Sequence, residues 1–241
     1  MFIPGKNSVF ELLKSNPASI KVIYLKKNNE KLESELKAYI DNSYSKIIVK
    51  KVAGNELDDL SQGLNHQGVV AEIIQQPKKN LKDYLKGNLA DRRLVVLLDG
   101  VSDPHNLGAV LRAVDCFQAD AVIIREDRQV GLTPTVAKVS AGASSLVDLI
   151  TVKNLARGLE DLQKSGFWSV ATMIDKQAES LYQFEFPEKT VLILGSEGKG
   201  VSRLIADKAD FKVYLPMHGK IDSLNISQSA AVFLSHWRYA S

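Results

Sequence analysis

Three stretches of the 241-residue chain combine charged, amide or hydroxyl side chains with glycine in an apolar setting. The first runs Asp99-Gly-Val-Ser-Asp-Pro-His-Asn-Leu-Gly-Ala-Val-Leu-Arg112. Asp103 and Asn106 are good helix caps, and Gly108 lets another group approach the backbone closely. A capped strand-to-helix turn explains Asp103-Pro104, but not a guanidinium at Arg112 inside LGAVLRAVDCF. The second runs Leu192-Ile-Leu-Gly-Ser-Glu-Gly-Lys-Gly-Val-Ser202. Its glycines surround Glu197 and open backbone amides and carbonyls to a ligand. It has neither the Gly-Lys-Ser/Thr of a phosphate-binding P-loop nor the GxGxxG of a dinucleotide fold, and a purely structural turn explains it equally well. The third runs from Tyr214-Leu-Pro-Met-His-Gly-Lys through Ser223 and Asn225 into Ile-Ser-Gln-Ser-Ala-Ala. There a proline-marked loop leads into an apolar segment, and Ser223 or Asn225 also reads as a simple N-cap.

Each stretch follows an apolar run that reads as a strand. LVVLL (94–98) is apolar throughout, as in a strand buried on both faces. Further strands are expected at 121–124 and near 146–150, 168–173, 191–194 and 212–215. Helices are expected at 107–117, from the Thr133-Pro134 start to about 140, and near 154–165, 202–208 and 226–238. This alternation predicts an α/β domain over 93–241, a mostly parallel sheet covered by helices on both faces. In such sheets ligands bind beyond the carboxyl ends of the strands, where the three stretches begin. Residues 1–73 form a smaller α/β pattern, with helices at 7–15, 30–40 and 55–62 and strands at 21–25, 47–49 and 69–74. Asn7 or Ser8 reads as the cap of the first helix. The segment between, 74–92, reads as a linker with a short helix at 80–86.

Composition excludes much. Apolar residues are 45% and charged residues 24%, as in an average globular protein. There is no apolar run long enough to span a membrane and no signal-peptide core at the N-terminus. A single cysteine, Cys116, favours a reducing cytoplasm. Its place in AVDCF reads as a packed thiol. Four histidines and one cysteine show no metal-ligand spacing, so no metal is expected. The net charge is +3. Residues 1–73 hold 10 basic and 9 acidic groups, residues 93–241 hold 16 and 17, and residues 74–92 hold 5 and 2. The basic excess therefore sits in the linker, as a solvated connector or as a strap for phosphates.

The three stretches, DGVSDPHNLGAVLRA, LILGSEGKGVS and VYLPMHGKIDSLNISQSA, resemble in order the three motifs of the SpoU family of RNA 2′-O-ribose methyltransferases, within the SPOUT superfamily. The likeness covers about 93–241. Residues 1–73, including His66-Gln67-Gly68-Val69, resemble the small ribosomal-protein-like (L30e-like) RNA-binding domain that precedes many members. The pair most resembles the bacterial members that methylate a guanosine in the peptidyl-transferase P-loop of 23S rRNA. Transfer RNA, another rRNA site, or a non-catalytic ribosome-assembly role on the same fold are the alternatives; an NAD- or ATP-dependent enzyme lacks its glycine fingerprint.

The resemblance implies S-adenosylmethionine as cofactor, bound in a C-terminal trefoil knot that no periodicity reveals. By motif position, Gly195, Leu215 and Leu224 contact the cofactor through backbone, Met217 lines the pocket, and Gly195 and Gly198 leave room for adenine. The catalytic and substrate positions map onto Asn106, Arg112, Glu197, Ser223 and Asn225. Arg112 is expected to hold an RNA phosphate and ease deprotonation of the ribose hydroxyl, oriented by Glu197 and Asn106, since a guanidinium is a poor base. Lys78, Lys79, Lys82 and Lys86 are expected to contact RNA phosphates together with 1–73. A chain lacking 1–92 is then expected to keep cofactor binding. A homodimer is implied, with the last helix (SAAVFLSHW) as a candidate contact. Gln228 departs from the small or apolar residue usual in relatives.

Overall fold

The computed structural model describes residues 1–41, 47–74, 79–87, 91–127, 130–220 and 223–240. Lys78 lies outside them. The chain divides into two compact units, Met1–Pro77 with Leu132–Leu146, and Lys78–Gly131 with Val147–Ser241.

The first unit contains β1 (Phe2–Pro4), α1 (Lys6–Ser15), β2 (Ile20–Lys26), α2 (Glu30–Asp41), β3 (Ile48–Val52), α3 (Gly54–Leu60) and β4 (Val69–Ile73). Its sheet runs β1-β4-β2-β3. β4 is antiparallel to both neighbours and β2 and β3 are parallel. β1 was not expected: three residues ending in proline cannot display an alternation, and the strand exists only through its register with β4. The helix α1 starts at Lys6, one residue earlier than expected, with Gly5 in place of Asn7 or Ser8 as its N-cap and no side-chain cap. Instead the Lys6 amide donates to Gln67 Oε1 at 3.0 Å. That explains the HQGV run: His66 Nδ1 accepts from the Gly68 amide at 3.0 Å, so Nε2 carries the proton and donates to Asp58 Oδ1 at 3.1 Å.

Helix α6 (Pro134–Val139), capped by Thr133 Oγ1 as its sequence predicts, packs in this unit although it lies far beyond β4 in the chain. Ala137 enters the core of Ile3, Val9, Leu12, Ile23 and Val69, and Ser8 Oγ donates to the Lys138 carbonyl at 3.1 Å.

The second unit contains α4 (Leu81–Lys86), β5 (Arg93–Asp99), α5 (Pro104–Cys116), β6 (Ala121–Arg125), β7 (Asp148–Val152), α7 (Leu155–Lys164), β8 (Trp168–Thr172), β9 (Glu179–Ser180), β10 (Lys189–Gly195), α8 (Arg203–Ala206), β11 (Phe211–Tyr214) and α9 (Ile226–Tyr239). The sheet order is β7-β6-β5-β10-β8-β11-β9, parallel throughout. One face, with Val95, Leu97, Ile123, Ile193 and Ala171, packs on α4, α7 and α8. On the other, α5 touches β6, α9 touches β10, and the two helices pack on each other.

Two expectations change here. The 74–92 segment is more than a linker: Leu81 and Tyr84 of α4 are buried in the core of the second unit. Cys116 is exposed. The helical period turns Leu107, Val110, Leu111 and Val114 inward, which puts Arg112 and Cys116 on the outer face.

Candidate active site

β5 and β10 lie side by side in register, Gly195 opposite Asp99. The two central strands therefore deliver the first two sequence stretches to one end of the sheet. β5 continues into α5, whose cap is Asp103: Oδ1 accepts from the His105 amide at 2.8 Å. The helix thus begins ahead of Asn106, which lies within its first turn, buried to 9% exposure. β10 continues into a tight turn closed by paired backbone bonds, Ser196 amide to Gly200 carbonyl at 3.1 Å and the reverse at 2.9 Å. The turn folds back on Gly195 so closely that a Cβ there would lie 1.9 Å from the Gly200 carbonyl carbon. Gly195 is thus required by the turn itself, not by space for a ligand. Gly198 sits at φ +80° with open space around it, so its glycine serves the backbone conformation. Asp99 Oδ2 ties the far side of the turn by accepting from the Ser202 amide at 2.8 Å.

The third stretch arrives through Asn225, the N-cap of α9. Its Oδ1 accepts from the Ser227 amide at 2.8 Å. Its Nδ2 donates to Asn106 Oδ1 at 3.0 Å and to Glu197 Oε1. Asn106 Nδ2 donates to the same Glu197 Oε1 at 3.0 Å. Asn106, Glu197 and Asn225, one from each stretch, close a triangle of hydrogen bonds. Two amide donors on one carboxylate oxygen fix the Glu197 side chain in place. Among the described residues Glu197 Oε2 has no protein donor.

Beside this junction lies a cavity of about 710 Å³. Gly195, Gly198, Leu215, Met217 and Leu224, the residues expected around a cofactor, all line it, as do Glu197, Ser223 and Asn225. The sequence reading did not single out Thr172, at the end of β8, or Met173 and Ile174 just beyond it, which form another wall. The carboxyl-end rule that led to the three stretches applies equally to β8, and was the available signal. Phe233 and Ile226 of α9 complete an apolar side.

Arg112 stands apart. Six residues beyond Asn106, it lies about 120° round the helix, is exposed, and bonds to neither Asn106 nor Glu197. The expectation that those two orient it is not met within this chain, because their polar atoms are turned towards each other and Asn225. Of the expected RNA-contacting lysines, Lys79 is paired with Asp148 at 2.7 Å, while Lys82 and Lys86 are exposed one turn apart on α4. Among the described residues no cluster of His, Cys, Asp and Glu could hold a metal ion. No helix there is long and apolar enough to cross a membrane.

Fold and cavity together define an α/β enzyme with a small accessory unit. Comparison with known proteins agrees. The fold matches that of the SpoU methyltransferase AviRb from Streptomyces viridochromogenes, whose structure was solved with AdoMet, at a TM-score of 0.76 and 19% identity over 100% of this chain and 89% of that one. It matches an AdoMet-bound rRNA methyltransferase from Sinorhizobium meliloti at a TM-score of 0.74 and 21% identity over 99% and 87%. The sequence profile of the SpoU rRNA Methylase family matches residues 93–235, and that of RNA 2′-O ribose methyltransferase substrate binding matches residues 2–78. The 23S rRNA (guanosine-2′-O-)-methyltransferase RlmB of Pseudomonas putida is 40% identical, covering 96% of this chain and 93% of its own. Its namesake in Neisseria meningitidis is 37% identical, covering 98% and 94%. The chain belongs to the SpoU rRNA methylase family.

Proposed function

We propose that the protein transfers a methyl group from S-adenosylmethionine to the ribose 2′-hydroxyl of a guanosine in 23S rRNA. The observation that carries this reading is the hydrogen-bonded junction of Asn106, Glu197 and Asn225 at the rim of the cavity lined by Gly195, Leu215, Met217 and Leu224. The cavity suits the cofactor chemically: it combines apolar walls from Leu215, Met217, Leu224 and Phe233 with polar groups at Glu197, Ser223 and Asn225, as an adenosine group needs. Bound there, S-adenosylmethionine supplies an electrophilic methyl group on a sulfonium.

The protein's task is to place a poor nucleophile and relieve it of a proton. Glu197 is anchored through Oε1, which leaves Oε2 to accept a hydrogen bond from substrate. Ser223 offers a hydroxyl at the same rim. Arg112, a permanent cation on the outer face of α5, pairs with an RNA phosphate and lowers the cost of charge on the ribose oxygen.

Residues 1–73 and the exposed pair Lys82 and Lys86 make up the RNA-recognising part, and 93–241 the catalytic part; the match of residues 2–78 to a substrate-binding family supports this division. With ribosomal RNA as substrate, the protein acts in the cytoplasm. It works as a homodimer. In α9, Ile226, Ala230, Phe233, Leu234 and Trp237 are buried within the chain's own fold, so the half-buried side with Ala231, Val232, Ser235 and His236 is the part of SAAVFLSHW open to a partner. Sedimentation showing only monomer at micromolar concentration overturns the dimer.

The experiment is methyl transfer from labelled donor to unmodified 23S rRNA and, separately, to unmodified tRNA, followed by mapping of the modified nucleotide. One 2′-O-methylguanosine in 23S rRNA is expected. Label confined to tRNA overturns the substrate assignment; label in neither overturns the activity.

A further inference from the structure

The catalytic junction depends on which way the Asn225 amide faces, and two neighbouring residues decide that. Oδ1 of Asn225 accepts from the Ser227 backbone amide at 2.8 Å and from Ser227 Oγ at 2.7 Å. A backbone N–H can only donate, so the atom facing it must be oxygen. Nδ2 is thereby turned towards Glu197, whose carboxylate can only accept, and towards Asn106 Oδ1. Flipping the amide would set oxygen against carboxylate oxygen and nitrogen against an N–H. From the other side, the Asn225 backbone amide donates to Gln228 Oε1 at 3.3 Å, which completes a reciprocal capping box at the start of α9. Gln228 thus has a defined partner.

We infer that Ser227 and Gln228 are positioning residues for methyl transfer: together they lock the Asn225 amide in the one orientation that joins Asn106 to Glu197. The Ser227 hydroxyl supplies a donor to Oδ1 beyond the backbone, and Gln228 fixes the cap residue's main chain. Neither side chain touches the reacting atoms. This rests on the methyltransferase reading above.

The test compares Ser227→Ala with Ser227→Thr, and Gln228→Leu with Gln228→Glu, in the full-length protein. Thr keeps the hydroxyl and Glu keeps the acceptor. Three quantities are read: the single-turnover methylation rate at saturating RNA and donor, the affinity for S-adenosylhomocysteine, and the NMR signals of the Asn225 side-chain amide. Ser227→Ala and Gln228→Leu should each slow transfer about 3- to 10-fold, the worth of one hydrogen bond. Both should shift the Asn225 amide signals and leave the melting temperature within a few degrees. Ser227→Thr and Gln228→Glu should restore rate and signals. Equal rates in all variants, or conservative variants no better than the truncated ones, overturn the lock. An inactive wild-type protein overturns the methyltransferase reading instead, and the amide signals then still decide whether the lock exists.

Discussion

Asn225 donates from Nδ2 to Asn106 Oδ1 at 3.0 Å, although 119 positions separate the two residues in the chain. Through Glu197 the same two amides bind a common carboxylate oxygen. Asn106→Ala removes one donor to that oxygen and one acceptor for Asn225. Small misplacements of reacting groups cost about 100-fold in rate. Methyl transfer by Asn106→Ala should fall on that order, while RNA affinity in a filter-binding assay stays near wild type. An unchanged rate would show that the junction does not organise catalysis.

Arg112 contributes nothing to the fold that the described residues display, being exposed and bonded to none of them. Arg112→Ala should therefore change stability by no more than about 0.5 kcal/mol, and leave cofactor affinity intact, yet abolish turnover. Denaturant melts, calorimetry and methylation measured on one preparation check all three. Near-normal methylation refutes the role.

At Gly195 the structure makes a sharper demand. A methyl group there would overlap the Gly200 backbone, so Gly195→Ala should destabilise the protein at the upper end of the about 1–3 kcal/mol typical of overpacking and abolish calorimetric heat with S-adenosylhomocysteine. Wild-type affinity in that variant would mean the Ser196–Gly200 turn is not part of the cofactor site.

Lys82 and Lys86 are exposed on α4, whereas Lys79 is occupied by Asp148. Replacing both Lys82 and Lys86 with alanine should weaken RNA binding and reduce the slope of log affinity against log salt by about 1 for each phosphate no longer neutralised. Lys79→Ala should have the smaller effect. Identical slopes for all variants would remove α4 from the RNA surface. Deleting 1–92, by contrast, would not separate RNA binding from cofactor binding, since it strips Leu81 and Tyr84 from the core of the second unit.

Asp210 predicts an acid response. Burial pushes its carboxyl up, but hydrogen bonds from Ser169 Oγ at 2.6 Å, the Ser169 amide at 2.9 Å and Gln163 Nε2 at 3.0 Å outweigh this and hold it below the usual 3.8. A carboxyl depressed in the folded state binds fewer protons than in the unfolded chain. Its stabilisation is therefore present above its ordinary range and lost as pH falls through the folded value. Urea midpoints of the wild-type protein should decline more steeply with acid below about pH 4 than those of Asp210→Asn. Parallel curves would remove Asp210 as a cause.

Much of the second unit was legible because its central strands β5 and β10 are mainly apolar and α5 carries one apolar stripe, so LVVLL and the α5 pattern report burial directly. The first two site-bearing stretches were legible for the same reason, each following such a strand, and the third follows β11, where Lys212 interrupts the apolar run. What the pattern does not report is the partner. Cys116 sits in an apolar-looking run, yet the helical period turns it outward. Leu81 and Tyr84 look like isolated apolar residues in a basic linker, yet they find a core. Thr172–Ile174 carry no motif and join the site only because β8 ends beside β10. Nothing in sequence order links Arg112 to, or separates it from, the Asn106 junction; the turn of a helix does that.

The placement of Leu132–Leu146 has a consequence for how the molecule comes apart. A protease that nicks the chain after Pro77 leaves an N-terminal fragment still gripped by Ala137 and its neighbours, with no covalent tie. The accessory unit is therefore not a cassette that one cut, or one recombination event, could exchange: a functional transplant needs three breakpoints, and a chimaera made with one should arrive with exposed apolar surface where Ala137 belongs.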